Sequence, residues 1–179
     1  MKSDLDQLSK VHKSVLSAAY DNFIGTALLH KAILCLLKET TIESFLDVLI
    51  TEVTSLLDLS AIRLCILEKA TIAPHPAIIK MSREEALEYL NPKEANCVYS
   101  VSLRSVPRNT DWFNYKPTKS REIRSEAVLW LQLDEKMGNG ILVLASEKKE
   151  TFLPSMKTDH LKFFSEIFSL QLQNLKKNV

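Results

Sequence analysis

Residues 125–147 constrain the fold more than any other stretch. "SEAVLWLQL" (125–133) and "ILVLASE" (141–147) are short apolar runs of strand-favouring residues, and only "DEKMGNG" separates them. Glycine stands where the turn favours positive φ, so the two runs pair as an antiparallel hairpin. A long amphipathic helix then closes the chain. Leu161, Phe164, Phe168, Leu172 and Leu175 form one apolar stripe, and Phe163, Ile167 and Leu170 form a second. A helix apolar on two sides needs two neighbours.

The remaining pattern supplies the other layers. Residues 4–39 are mostly helix formers with apolar residues at helical spacing, including Leu8, Val11, Val15, Phe23, Ala27, Ile33 and Leu37. "KETTIES" breaks that helix. Thr41 is the expected N-cap of a second helix over 42–57, with Ser44 rather than Glu three residues on, so the capping box is incomplete. "AIRLCILE" (61–68) predicts a buried strand, and the prolines of "APHP" an irregular link. Ser82 opens a short helix with Glu85 at the capping-box position. In "CVYSVSLR" (97–104), Cys97, Tyr99, Val101 and Leu103 alternate with Val98, Ser100, Ser102 and Arg104. Residues 105–122 read as a long polar loop, and Ser155 or Thr158 caps the last helix. The resulting order, α–α–β–(α)–β–loop–β–β–α, predicts an α+β fold: an antiparallel sheet with helices packed on one face. Residues 1–40 form a helical extension and 41–179 the domain.

Composition narrows the function classes. With 46% hydrophobic and 25% charged residues, the 179-residue chain has material for a real core. A net charge of +1 gives no bulk reason to expect nucleic acid or a membrane surface. Only three glycines argue against phosphate-cradling loops. Asp4, Asp6 and Lys10 interrupt any signal-peptide core, and no run approaches the roughly 20 apolar residues of a membrane span. Cys35, Cys65 and Cys97 are widely spaced, without a CxxC, which fits reduced thiols in the cytoplasm. His12, His30, His75 and His160 have no metal-ligand spacing. No metal or other cofactor is expected.

The stretch from Arg124, Ser125 and Ala127 through Gly140, Ile141, Leu142, Leu144 and Ser146 to Phe152, Pro154, Met156 and Phe164 resembles the C-terminal half of a GAF domain. More narrowly, residues 20–175 resemble the bacterial GAF-like family designated domain of unknown function 484. The chain departs from that family in its shorter N-terminal region and in Lys157-Thr158, where Gly-Thr is usual. The resemblance implies an antiparallel sheet of about six strands, with a ligand-type pocket under the loops on one face. It also implies helices on the other face that pair into a dimer. It does not imply an activity, because the fold serves many. The signature of cyclic-nucleotide-binding members is absent, as is the cysteine–histidine pair of chromophore holders.

The loop 105–122 and its flanks carry the binding expectation. Trp112, Phe113 and Tyr115 lie among Arg104, Arg108, Lys116, Arg121 and Arg124. Aromatic rings can stack a planar ligand while arginine takes a carboxylate or phosphate. The candidate site is Arg124 and Trp112, with Ser125, Tyr99 and Arg104 as neighbours, and the ligand class is small and anionic or planar. The competing reading is that the aromatics pin the loop to the sheet and that Arg124 pairs internally with Glu126 or Glu122. The expected function is a non-catalytic sensor or regulatory module that dimerises through helix one and the last helix. Two alternatives stand beside it. One is a ligand-free interaction domain; the other is a thiol enzyme of the methionine-sulfoxide-reductase type.

Overall fold

A computed structural model describes residues 2–90, 101–116, 121–135 and 137–177. Helix α1 runs Lys2–Leu37, and α2 runs Ile42–Val48. Thr41 caps α2, its hydroxyl accepting from the Ser44 N–H at 3.1 Å. The helix then widens into a π-helical stretch, Leu49–Val53, and ends in a turn, α3 (Thr54–Leu56). The Thr54 hydroxyl donates to the Leu49 carbonyl five residues back at 3.0 Å, a bond that suits the wider turn.

Strands β1 (Ala61–Leu67), β2 (Ile78–Met81), β3 (Val101–Ser105), β4 (Ser125–Gln132) and β5 (Asn139–Ser146) form a sheet in the order β2-β1-β5-β4-β3. Between β2 and β3 lies α4 (Arg83–Tyr89), with the capping box that Ser82 and Glu85 foretell. Helix α5 (Asp159–Lys177) closes the chain. Thr158 takes its N-cap position, its carbonyl accepting from Lys162 at 2.9 Å.

The hairpin is present: β4 and β5 pair antiparallel from Ser125–Ser146 to Gln132–Asn139. Gly138 takes φ +70° in the turn, and Asp134 holds the turn closed by accepting from the Met137 N–H. Gly140 serves a different need, because a Cβ there would lie 3.2 Å from the Cys65 carbonyl of β1.

Two features differ from expectation. Among the described residues the sheet has five strands rather than about six, and it is mixed rather than antiparallel, because β2 pairs parallel with β1. The strand at 78–81 carries little local signature, since it is four residues long and follows two prolines. Its direction comes from the link 68–77, which returns along the helical side of the sheet and buries Ala70, Ile72 and Ala77 in the core there. His75 pins that link: its Nδ1 accepts from the Ala77 N–H, so Nε2 carries the proton and donates to Asp47 at 3.1 Å.

One face of the sheet packs on α1, α2 and α5. Phe45, Phe164 and Phe168 form its centre, with ring centroids 5.0 Å apart for Phe45–Phe168. The other face lies under α4 and the loop after β3, where Cys65, Val128, Ile141 and Val143 meet Met81, Leu90, Val106 and Trp112. Both faces are covered, so β4 and β5 read as near-continuous apolar runs. No helix among the described residues is long and apolar enough to cross a membrane.

Candidate functional site

The loop-covered face carries a charge inside the protein. Glu126 lies within apolar β4 and is only 4% exposed. Its Oε1 accepts from Arg104 Nε at 2.6 Å, and its Oε2 from the Tyr89 hydroxyl at 2.5 Å and Trp112 Nε1 at 2.7 Å. Strand register sets this up, because Arg104 of β3 is the direct cross-strand neighbour of Glu126. Arg104 also donates to the Tyr89 carbonyl at 2.9 Å, and its guanidinium sits 4.5 Å from the Tyr89 ring centre. One carboxylate therefore ties the end of α4, strand β3 and the loop to the sheet.

The electrostatics follow from burial around that charge. Burial pushes the Tyr89 phenol well above its usual range, and the adjacent Glu126 carboxylate pushes it further. For Arg104, burial works against the charged form, yet the bond and charge of Glu126 outweigh it and raise the pKa. Arg63 of β1 differs: burial lowers its pKa, and no carboxylate answers it among the described groups that shift it. Its guanidinium lies 6.0 Å from the Trp112 ring and donates to the Ile62 carbonyl.

The aromatic residues of the loop pack on one another. Trp112 meets Phe113 edge-on at 4.9 Å and Tyr115 at 6.2 Å, and Phe113 also touches Tyr89 at 5.3 Å. Phe113 and Asn114 hold positive φ, 45° and 55°. For a bulky residue such as Phe113 that conformation costs on the order of 1–3 kcal/mol, and the ring contacts hold it in place. The Tyr115 hydroxyl reaches Glu147 at 3.1 Å. The hollow beside Glu126, about 360 Å³, is bordered by Tyr89, Arg104 and Trp112, whose polar atoms already serve Glu126.

The expected site residues therefore separate. Arg104 and Trp112 come together, but on Glu126. Ser125 turns to the other face, where it is buried and donates to the Lys148 carbonyl at 2.6 Å. Arg124 does not border the hollow. Its backbone joins Ser146 and Val106, while its Nη1 is buried without a hydrogen-bond partner among the described residues. The internal partners considered for it are engaged elsewhere, Glu126 with Arg104 and Glu122 with the Asn109 N–H at 3.2 Å. Tyr99 lies outside the described residues, as does Cys97.

A second space, larger than the hollow beside Glu126, lies elsewhere on the same face of the sheet. Between α4 and the β4–β5 turn lies an open cleft of about 520 Å³. Its floor is Cys65, Ile141 and Trp130. Its wall is Met81, Arg83, Ala86, Leu87 and Leu90, and its rim Gln132, Asp134, Glu135 and Asn139. The mix of an apolar floor, a half-buried indole and polar groups at the rim is that of a small-molecule site. One sequence feature marks the place. Trp130 is the single aromatic ring of β4, and its neighbour across the hairpin, Ile141, shares the floor.

The thiols stand apart. Cys65 is buried on the loop-covered face, and its pKa is pushed up to about 12, by burial first and by the Glu126 charge second. Cys35 lies in α1 on the helical side, so the sheet stands between the two. Among the described residues no group of His, Cys, Asp or Glu could hold a metal ion. On the helices, Phe163 and Leu170 of the second α5 stripe remain exposed, and so do Leu5, Leu8, Val11 and Val15 of α1.

The chain matches no known family model, and no curated protein matches it at a significant level.

Proposed function

We propose that this chain is a non-catalytic, GAF-like sensor or regulatory module that takes a small, planar ligand into the cleft between α4 and the β4–β5 turn and self-associates through α1 and α5. The observation that carries the reading is the cleft. It is the size of a small-molecule site, it lies on the sheet face opposite α1, α2 and α5, and its rim offers both donors and acceptors. Trp130 supplies a stacking surface, and Arg83 at the wall can meet an anionic group. The protonated state of Cys65 at neutral pH favours binding over thiolate chemistry.

Arg124 offers a second place for an anion, because its buried Nη1 has no hydrogen-bond partner among the described residues. The ligand-free alternative draws on a different observation: the polar atoms around Glu126 are satisfied by the protein's own groups. A thermal-shift screen of nucleotides, amino acids and organic acids separates these readings. It is run on the wild type, on Ala86→Trp, which fills the cleft from its wall, and on Arg124→Ala. A compound that stabilises the wild type and Arg124→Ala but not Ala86→Trp supports the cleft. A compound lost only in Arg124→Ala moves the site to Arg124. No shift from any compound leaves the interaction-domain reading.

A further inference from the structure

The cleft has charges of both signs at one end and an apolar floor behind them. The floor is a single cross-strand row: Trp130 of β4 stands opposite Ile141 of β5, and Ile141 opposite Cys65 of β1. Three adjacent strands span about 10 Å, so the row has room for one flat ring beside the Trp130 indole. Two residues further along the strands, about 7 Å away, the pair Gln132–Asn139 begins the polar rim.

The strand ends place the charges. Leu67, the last residue of β1, has a neighbour on each side. On one side it pairs with Met81, the last residue of β2, and Arg83 follows as the first residue of α4. On the other side it meets the hairpin turn, where a Cβ on Gly138 would lie 3.2 Å from the Leu67 side chain. Arg83 and the turn acids Asp134 and Glu135 therefore flank the same end of the cleft, and all three line it. Local bonds hold them there. Asp134 Oδ1 accepts from the Met137 N–H at 2.8 Å, and the Ser82–Glu85 capping box fixes the start of α4. Arg83 and Glu135 make no ion pair with any described residue. A cation facing an acidic turn across an open mouth suits a ligand that carries both charges. A phosphate or dicarboxylate would meet Glu135 with like charge, and a simple amine would meet Arg83 in the same way.

We infer that the cleft binds an aromatic α-amino acid, with its ring on Trp130 and Ile141, its carboxylate on Arg83 and its ammonium on Glu135 beside Asp134. The inference rests on the cleft reading above and names its ligand class. An α-amino acid carries both charges on one carbon, so both must be answered at one place, and the end of the cleft beside Leu67 provides that. The ring hangs from the same carbon by one methylene, which lets it reach the floor while the charged groups stay at the rim.

Titration calorimetry of the full chain with L-phenylalanine, L-tyrosine and L-tryptophan is expected to show binding of at least one of them. Its analogues without the ammonium or without the carboxylate (phenylpropionate and phenylethylamine in the case of phenylalanine) are expected to bind about tenfold more weakly. Arg83→Gln is expected to weaken the amino acid about tenfold without weakening the amine analogue, and Glu135→Gln to weaken it as much without weakening the acid analogue. Both positions are exposed, so neither change is expected to move Tm. Ala86→Trp is expected to abolish binding. An analogue with one charge, or adenine, that binds as tightly as the amino acid and is lost in Ala86→Trp overturns the inference and leaves the cleft reading in place. Amino-acid binding indifferent to Arg83→Gln or to Glu135→Gln overturns it as well. Binding that survives Ala86→Trp but not Arg124→Ala moves the carboxylate out of the cleft and overturns both. No binding of any of the three amino acids overturns the inference, and the wider melting screen above then decides the cleft on its own.

Discussion

Replacing Glu126 by glutamine tests the organisation of the loop-covered face. The change keeps the side-chain shape and turns one acceptor into a donor. Either orientation of the amide places an N–H against a group that cannot accept, Arg104 Nε on one side or Trp112 Nε1 on the other. Glu126 is 4% exposed, so water does not readily fill the gap. An unpaired buried donor costs about 1–3 kcal/mol, and more when it is charged. The Arg104 side chain is 28% exposed, which lets solvent recover part of that loss. The net destabilisation is therefore about 2–3 kcal/mol. At roughly 2–4 °C per kcal/mol for a chain of this length, Tm falls by about 4–12 °C. Scanning calorimetry measures the fall, and near-ultraviolet circular dichroism follows Trp112, which loses its fixed surroundings as the loop loosens. A Tm within about 2 °C of the wild type, with an unchanged aromatic signal, refutes the claim that this carboxylate pins the loop.

Phe168→Ala removes a ring that is 1% exposed and packed between Phe45 and Phe164, so it should cost about 3–5 kcal/mol in chemical denaturation. Gly140→Ala should also destabilise, because its Cβ would meet the Cys65 carbonyl at 3.2 Å; an unchanged denaturation midpoint would show that β1 and β5 separate freely. The Cys65 pKa is raised to about 12, so its folded-state thiol keeps a proton that the unfolded chain has released. Its contribution is complete below the unfolded thiol pKa of about 8.5 and is lost as pH climbs from there towards 12, by about 1.4 kcal/mol per unit at most. Cys65→Ala should flatten that alkaline slope, although Tyr89, also shifted upward, leaves part of it. In the native state Cys65 should react with a thiol reagent far more slowly than in denaturant.

Local pattern was enough for the elements whose partners are near in sequence. The hairpin of β4 and β5, the Thr41 cap and the Ser82–Glu85 box depend on residues a few positions apart, so their chemistry is written in order along the chain. The two-sided α5 stripe was equally legible, since helical spacing alone defines it. What the sequence left open depends on pairings across the fold. The parallel direction of β2 is set by where Ala70, Ile72 and Ala77 find a core. In the sequence Glu126 offers itself as an internal partner for Arg124, two positions away. Cross-strand register instead gave that carboxylate to Arg104, 22 positions away, and folding brought Tyr89 and Trp112 to the same two oxygens. The cleft is likewise a product of tertiary structure, because α4, β1 and the β4–β5 turn meet there although no local pattern links them. Periodicity reports which face of an element is buried; only the packing of distant elements decides which polar groups must satisfy one another and where space remains.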